Sequence, residues 1–322
     1  MLSTLRCRER PRKHRLERII VGHDLSSGGA TALESALVLA RRCDATIRLI
    51  HVIEAHHHAL HVSQPKSRQS KIEEKVTKSG ADLEEIVESR TDCRRRINYE
   101  VRVGNPFFEL ILAACAWRAD LIVVGAPDRQ LFHLLGSTAE RLVRKSFVPV
   151  LVSRKPLNQI AQRFLVPTDF SLGARRAAEV GINLADSFGG RIFFFHAFDP
   201  TPWYSYPCDE DTRGLITLPE LTVDDVEGDW ASFLRSLPTT SVPWQARTEE
   251  GRPVDMIVKY ADEIAADLII MGSHGRAGLE HMLLGSVAEG VKRRASPPVL
   301  TIGPQGLQFS FLKTVQMKRF NL

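Results

Sequence analysis

Short apolar runs rich in β-branched and aromatic residues recur along the chain, and between them apolar residues return at helical spacing. The runs predict strands over 18–23, 46–52, 97–103, 120–125 and 148–152, then over 163–168, 191–197, 243–249, 267–272 and 298–302. Their nearly continuous apolar character, as in Ile192-Phe193-Phe194-Phe195, fits strands covered on both faces. Ala32, Ala36, Leu39 and Cys43 recur on one helical face, as do Ala177, Gly181, Leu184 and Phe188, and Gly189-Gly190 supplies a stop for the second helix. Gly104-Asn105-Pro106 and Gly251-Arg252-Pro253 each open a further helix, where proline has no N–H to lose. Strands alternating with helices predict an α/β fold with a parallel sheet.

The pattern occurs twice. RIIVGHDLS (18–26) aligns with RFLVPTDFS (163–171) and IRLIHVIE with IFFFHAFD, both at an offset of 145, pairing Asp24 with Asp169 and His51 with His196. DLIVVG then aligns with DLIIMG at an offset of 147, and LLGS ending at Ser137 with LLGS ending at Ser286 at 149. A repeat of this length is a whole domain, since single domains commonly run to ~100–200 residues. The expected organisation is a basic extension over 1–15, a first domain over 16–155, a second over 160–304 and a tail over 305–322, with the junction near RKPLNQIAQ (154–162).

Composition narrows the partners. At 43% apolar and 25% charged, 322 residues can bury two ordinary cores. No apolar run approaches the ~20 residues of a membrane span, and the N-terminus lacks the apolar stretch of a secretory signal, so a cytoplasmic protein without a membrane partner is expected. The net charge of +5 resides in residues 1–18, with seven Lys and Arg against two Glu, so the other 304 residues sum to zero. The basicity thus belongs to a solvated extension, and nucleic acid is not an expected partner. Cys7, Cys43, Cys93, Cys115 and Cys208 are scattered and form no C-x-x-C, which favours reduced thiols. His56, His57, His58 and His61 cluster without a carboxylate or thiol at matching spacing, so a solvated loop and no metal site is the expectation. In the second half a proline-rich acidic segment, Asp199 to Asp229 with Trp203, Tyr204 and Tyr206, stands in their place. QFSFLKTVQMKRFNL, ending the chain, has no counterpart in the first half.

The chemistry concentrates in GSHGRAGLEHMLLGS (272–286), directly after the run Asp267-Leu268-Ile269-Ile270-Met271. Its glycines follow G-x-x-G-x9-G-S, a strand opening into a loop whose backbone N–H groups can approach an anion and which ends at a helix start. Ser286 and Glu289 have capping-box spacing, and Val287, Ala288, Val291 and Ala295 give the following helix an apolar face. If the first and fourth strands are neighbours, Asp169 converges on this loop at the carboxyl ends of the sheet. There it can accept hydrogen bonds from a ribose or base amine, or form the turn before the first helix.

Taken together, VPTDFS, FFHAFD and GSHG-x9-GSVAE resemble the universal stress protein family over nearly all of residues 16–303, in a tandem two-domain form. The resemblance implies two Rossmann-like domains of the adenine nucleotide alpha hydrolase-like kind, each with a five-stranded parallel sheet in order 3-2-1-4-5, and ATP or another adenine nucleotide, with Mg, as ligand. Carried over by position, Asp169 would contact the adenosine with Pro167 and Thr168 beside it, and Ala197 would line the adenine pocket. Met271, Gly272, His274, Gly275, Gly285, Ser286 and Val287 would wrap the phosphates. The implied partners are the second domain itself, paired through the fifth strands as a dimer within the chain, a further copy in a homodimer, and a regulatory protein.

The first half departs from the pattern. Its loop reads GAPDRQLFHLLGS, with Asp128 in place of the second glycine, Pro127 removing a backbone donor, and a spacer two residues shorter. A carboxylate ~4 Å from a phosphate charge opposes binding by ~1 kcal/mol in water and ~4 kcal/mol at an effective dielectric near 20. One nucleotide per chain is therefore expected, with Asp24 and Ser137 retained as caps. No Walker loop, dinucleotide G-x-G-x-x-G or H-R-D motif is present, and His274 is the one evident base beside the loop. A nucleotide-binding regulator without catalytic residues is the primary expectation. A slow ATPase or phosphotransfer enzyme and a scaffold that binds nothing are the alternatives.

Overall fold

Ten strands, five from each half, hydrogen-bond into one sheet in the order β3-β2-β1-β4-β5-β10-β9-β6-β7-β8. The computed structural model describes residues 16–54, 66–90, 96–126, 137–199, 223–275 and 285–303. The basic extension, the cluster from His56 to His61, Pro127 and Asp128, the aromatic residues Trp203, Tyr204 and Tyr206, and the C-terminal tail lie outside the described residues.

The first half runs β1 (Arg18–Gly22), α1 (Ser27–Cys43), β2 (Thr46–Glu54), α2 (Lys66–Glu88), β3 (Ile97–Gly104), α3 (Pro106–Trp117), β4 (Leu121–Gly125), α4 (Ser137–Lys145) and β5 (Val150–Ser153). The second runs β6 (Arg163–Pro167), α5 (Leu172–Phe188), β7 (Arg191–Phe198), α6 (Val223–Ser236), β8 (Trp244–Glu250), α7 (Pro253–Glu263), β9 (Leu268–Gly272), α8 (Ser286–Arg294) and β10 (Val299–Ile302). Each half is thus parallel in order 3-2-1-4-5, as expected. The fifth strands start later than the apolar pattern suggests. In the first half the Ser146 hydroxyl bonds both the N–H and the carbonyl of Val148, at 3.1 and 2.7 Å, so β5 begins only after Pro149.

Local chemistry sets the element ends in both halves. Ser26 and Ser171 are the N-caps of α1 and α5, accepting from the N–H of Gly29 and Ala174. β3 ends at Gly104 and β8 just before Gly251, with φ of 155° and 141° at the two glycines, a region open to glycine, before Pro106 and Pro253 start the next helices. Asp120 accepts the N–H groups of Glu17 and Arg18, and Asp267 those of Gln162 and Arg163, all at 2.9–3.0 Å. The Asp that opens each DLI run is therefore a clamp on the start of the neighbouring first strand.

The halves share their cores. α1, α2, α5 and α6 cover one face of the sheet and α3, α4, α7 and α8 the other, and each apolar cluster takes residues from both halves. β5 and β10 pair antiparallel, Val152 with Val299, Leu151 with Leu300 and Val150 with Thr301, which buries what would otherwise be two exposed edges. The Thr301 hydroxyl donates to the Val150 carbonyl at 3.1 Å. Across the same seam the Arg154 guanidinium donates to the carbonyls of Lys292 and Arg293 at 3.2 Å, satisfying acceptors at the C-terminal end of α8.

Candidate functional site

β6 and β9 are neighbours, so the chain leaving β6 and the loop leaving β9 emerge together at the carboxyl end of the sheet. Thr168 continues β6, its N–H donating to the Phe195 carbonyl at 2.8 Å. Its hydroxyl accepts from the N–H of Phe170 at 2.9 Å, holding that residue at a φ of 62°. Asp169 lies between them, and its Oδ1 accepts from the N–H of Ser171 at 3.1 Å. Asp169 is thus the turn former ahead of the helix, and Ser171 is the cap. His196 Nδ1 lies 2.8 Å from the Thr168 carbonyl, which only an Nδ1–H can satisfy, so β7 also braces this turn.

The second carboxylate oxygen of Asp169 lies against the loop. A Cβ built on Gly275 falls 2.5 Å from Asp169 Oδ2, so the carboxylate rests against the loop backbone where no side chain fits. Ten residues later the chain returns to the same place: the N–H of Gly285 donates to the Ser273 carbonyl at 2.9 Å. A Cβ on Gly285 would sit 3.2 Å from that carbonyl and 3.6 Å from His274 Cα. The acid, the exposed Gly275 and the start of α8 therefore converge, whereas the spacer 276–284 lies outside the described residues.

Ser286 departs from the capping-box expectation. The N-cap of α8 is Gly285, no side chain caps it, and Ser286 is the first helical residue. Glu289 turns away to Arg293, 2.5 Å from its guanidinium, and so does not reach back to the cap. The reason is that the helix starts one residue earlier: the Glu289 N–H bonds the Gly285 carbonyl at 3.0 Å, so Ser286 lies inside the first turn and is not the cap. Gly285, having no side chain, brings no cap to the N–H groups of the first turn.

Other candidates sit differently. Gly272 packs against α5, where an added Cβ would lie 3.0 Å from the Gly173 carbonyl carbon, and the equivalent contact of Gly125 with the Gly28 oxygen is tighter still at 2.1 Å. Close helix–strand approach accounts for glycine at this position in both halves. Pro167 and Met271 are buried, so their side chains belong to the core and only their backbone faces the carboxyl end. Ala197 and Val287 are half-buried and pack on one apolar cluster beneath α7 and α8. Sequence reasoning missed Ser273, 2% exposed, whose hydroxyl lies 2.8 Å from His274 Nδ1. That spacing is also a nucleophile–base distance, but the hydroxyl is buried, so its effect is to orient the imidazole.

The first half builds the same turn with different atoms. Leu25 has the φ of Phe170, 62°, and its N–H is accepted by His23 Nδ1 at 3.0 Å in place of the threonine hydroxyl. His51 Nδ1 meets the His23 carbonyl at 2.8 Å, as His196 meets that of Thr168. Burial pushes the His23 pKa down, which suits a ring nitrogen that must stay an acceptor. Asp24 accepts from both the N–H and the hydroxyl of Ser26, and so supports the cap of α1. Ser137 opens α4.

Two parallel α/β halves in order 3-2-1-4-5, each with an acid-bearing turn after its first strand, place the chain in the class of tandem Rossmann-like proteins. The sequence model of the universal stress protein family matches residues 15–154 and again 161–303, and the chain belongs to that family. A universal stress protein of Methanocaldococcus jannaschii is 30% identical over 171 residues, covering 50% of this chain and 96% of its own length. One from Mycolicibacterium smegmatis is 26% identical over 304 residues, 89% of this chain and 97% of its own, and so is similar across both halves. The crystal structure of a universal stress protein from Archaeoglobus fulgidus superposes with a TM-score of 0.67 at 24% identity, over 90% of this chain and 99% of that one, and supports the fold. Among the described residues no helix is long and apolar enough to cross a membrane.

Proposed function

We propose that the second domain binds ATP or a related adenine nucleotide, with Mg, and that the chain acts as a regulatory protein whose nucleotide state is read by another protein. The observation that carries this reading is the approach of the Asp169 carboxylate to Gly275, at the point where the chain returns to the start of α8 with Gly285 as its N-cap. The Asp169 carboxylate, at the carboxyl end of β6, suits the hydroxyls of a ribose. Bare backbone at Gly275 and Gly285 and the first-turn N–H groups of Ser286 and Val287 suit phosphate oxygens. The bound cation would neutralise phosphate charge, and His274, oriented by Ser273, is placed to donate to the same group. The first domain carries the turn but places Asp128 in its loop, so it serves as the structural partner that completes the sheet.

The denaturation midpoint of the full chain, measured with ATP, ADP and AMP, tests this. A ligand at 100 times its dissociation constant adds ~2.7 kcal/mol to apparent stability. A midpoint raised by an adenine nucleotide in the wild type and not in Asp169→Ala supports the reading, and a midpoint indifferent to all three refutes it. Stoichiometric release of phosphate in the same mixture would replace binding by hydrolysis.

A further inference from the structure

Lys292 lies on α8 six residues beyond Ser286, is 1% exposed, and its Nζ meets no hydrogen-bond partner among the described residues. At the matching position of α4 the first half has Val143, which is equally buried, so the chain has placed an amine where an apolar side chain fits. The charged groups around it come from both domains: Glu289 and Arg293 on its own helix, and Glu140 and Arg144 on α4. Both carboxylates are already engaged, Glu289 with Arg293 at 2.5 Å and Glu140 with Arg144 at 3.7 Å. Arg154 bonds the backbone carbonyl of Lys292, not its amine. α7 packs on α8 where Val254 meets Gly290, and its Asp255 is taken by Arg294. β10 adds only the Thr301 hydroxyl, which donates to Val150.

α8 therefore joins the candidate phosphate loop at one end to a partnerless buried amine at the domain seam, over a rise of about 9 Å for six residues. We propose that Lys292 couples nucleotide binding to proton uptake: a polyphosphate at the start of α8 draws a proton from solvent onto the buried amine, and affinity rises as the solution is acidified through neutral pH. This rests on the nucleotide reading of the second domain. Burial, the dominant influence, pushes the amine down to about 7, and Glu289 and Glu140 only partly oppose it, so small changes in the local field move it across the physiological range. Unit charges about 10 Å apart in a medium of effective dielectric near 20 alter affinity on the order of tenfold. Linkage is reciprocal, so ATP must raise the affinity of Lys292 for its proton by the same factor.

The test is calorimetric titration of the full chain with ATP·Mg at about pH 6, 7 and 8.5, in two buffers of different ionisation heat, for wild type, Lys292→Met and Lys292→Arg. The wild type should lose roughly tenfold more affinity across this range than Lys292→Met and should take up protons that the Met variant does not. Lys292→Arg, always charged, should hold the acid-side affinity throughout. Protonation of ATP itself and of His274 is common to all three, so the comparison isolates Lys292. Parallel profiles in wild type and Lys292→Met overturn the coupling alone, whereas no binding at any pH in any variant overturns the nucleotide reading with it. A second readout, the NMR titration of the lysine ε-carbon in the wild type, should move to higher pH when ATP·Mg is added. An unmoved titration in the presence of bound nucleotide overturns the proposal.

Discussion

Replacing Lys292 by methionine should stabilise the protein, most of all in acid. The amine is buried and meets no hydrogen-bond partner among the described residues, and burial lowers its pKa from 10.5 to about 7. Below pH 7 both folded and unfolded chains hold the proton, so the cost of burying the charge is fully present. Between 7 and 10.5 the unfolded chain keeps a proton that the folded chain has released, so wild-type stability rises with pH, and by 10.5 the cost has gone. A span of about 3.5 pH units at 1.36 kcal/mol each gives a ceiling of about 5 kcal/mol. Methionine matches the aliphatic stem of lysine in volume and has no charge to desolvate. Urea denaturation followed by tryptophan fluorescence at about pH 6, 8 and 9.5 should show Lys292→Met more stable by ~2–5 kcal/mol at the lowest pH, with the gap closing upward. A variant less stable than wild type at pH 6, or a gap that does not change with pH, would refute the reasoning and mean that the amine has a partner.

Other outcomes follow from the duplicated turn and the seam. Because burial depresses His23, the folded state holds fewer protons than the unfolded one below about pH 6.5, and stability should fall as pH drops through that value. His23→Thr, which copies Thr168, should remove this component of an acid denaturation profile while keeping the acceptor for Leu25. Gly125→Ala places a Cβ 2.1 Å from the Gly28 oxygen and should lower stability by ~3 kcal/mol in urea, without any ligand present. Leu300→Asp puts an unpaired charge into the β5–β10 pairing, where Leu300 faces Leu151, and should cost more than ~3 kcal/mol and expose the segment 154–162 to limited proteolysis. Resistance equal to that of wild type would show that the seam contributes little to stability.

Most of the fold was legible because it depends on local signals repeated twice. Apolar runs marked each strand to within about two residues, Gly189-Gly190 and the Gly-x-Pro segments marked helix ends, and the common DLI and LLGS segments marked the duplication. Offsets in the repeat also identified Asp24 with Asp169 and His51 with His196, and the structure gives each histidine the same bond to the preceding turn. What was not legible depends on neighbours remote in sequence. Lys292 falls beside the apolar face of α8 by periodicity, yet it is 1% exposed, and the charges around it include Glu140 and Arg144 of the other domain. Ser286 has the right spacing to cap, but the helix takes Gly285 as its N-cap, whose N–H is held by the Ser273 carbonyl across a loop. Likewise His23 and Thr168 share no chemistry in sequence beyond a ring nitrogen and a hydroxyl that can both accept one N–H.

Calorimetric titration of the full chain with ATP·Mg, beside the variant Gly275→Val, tests the central claim most directly. A valine Cβ would meet Asp169 Oδ2 at 2.5 Å, so the substitution removes the approach of backbone to ligand and displaces the carboxylate together, far from the shared core. The account predicts a stoichiometry of one nucleotide per chain in the wild type and a loss of at least ~100-fold in affinity in the variant, in line with ~3 kcal/mol for a charge-assisted contact. Two equivalent sites in the wild type, or undiminished binding by Gly275→Val, would contradict it.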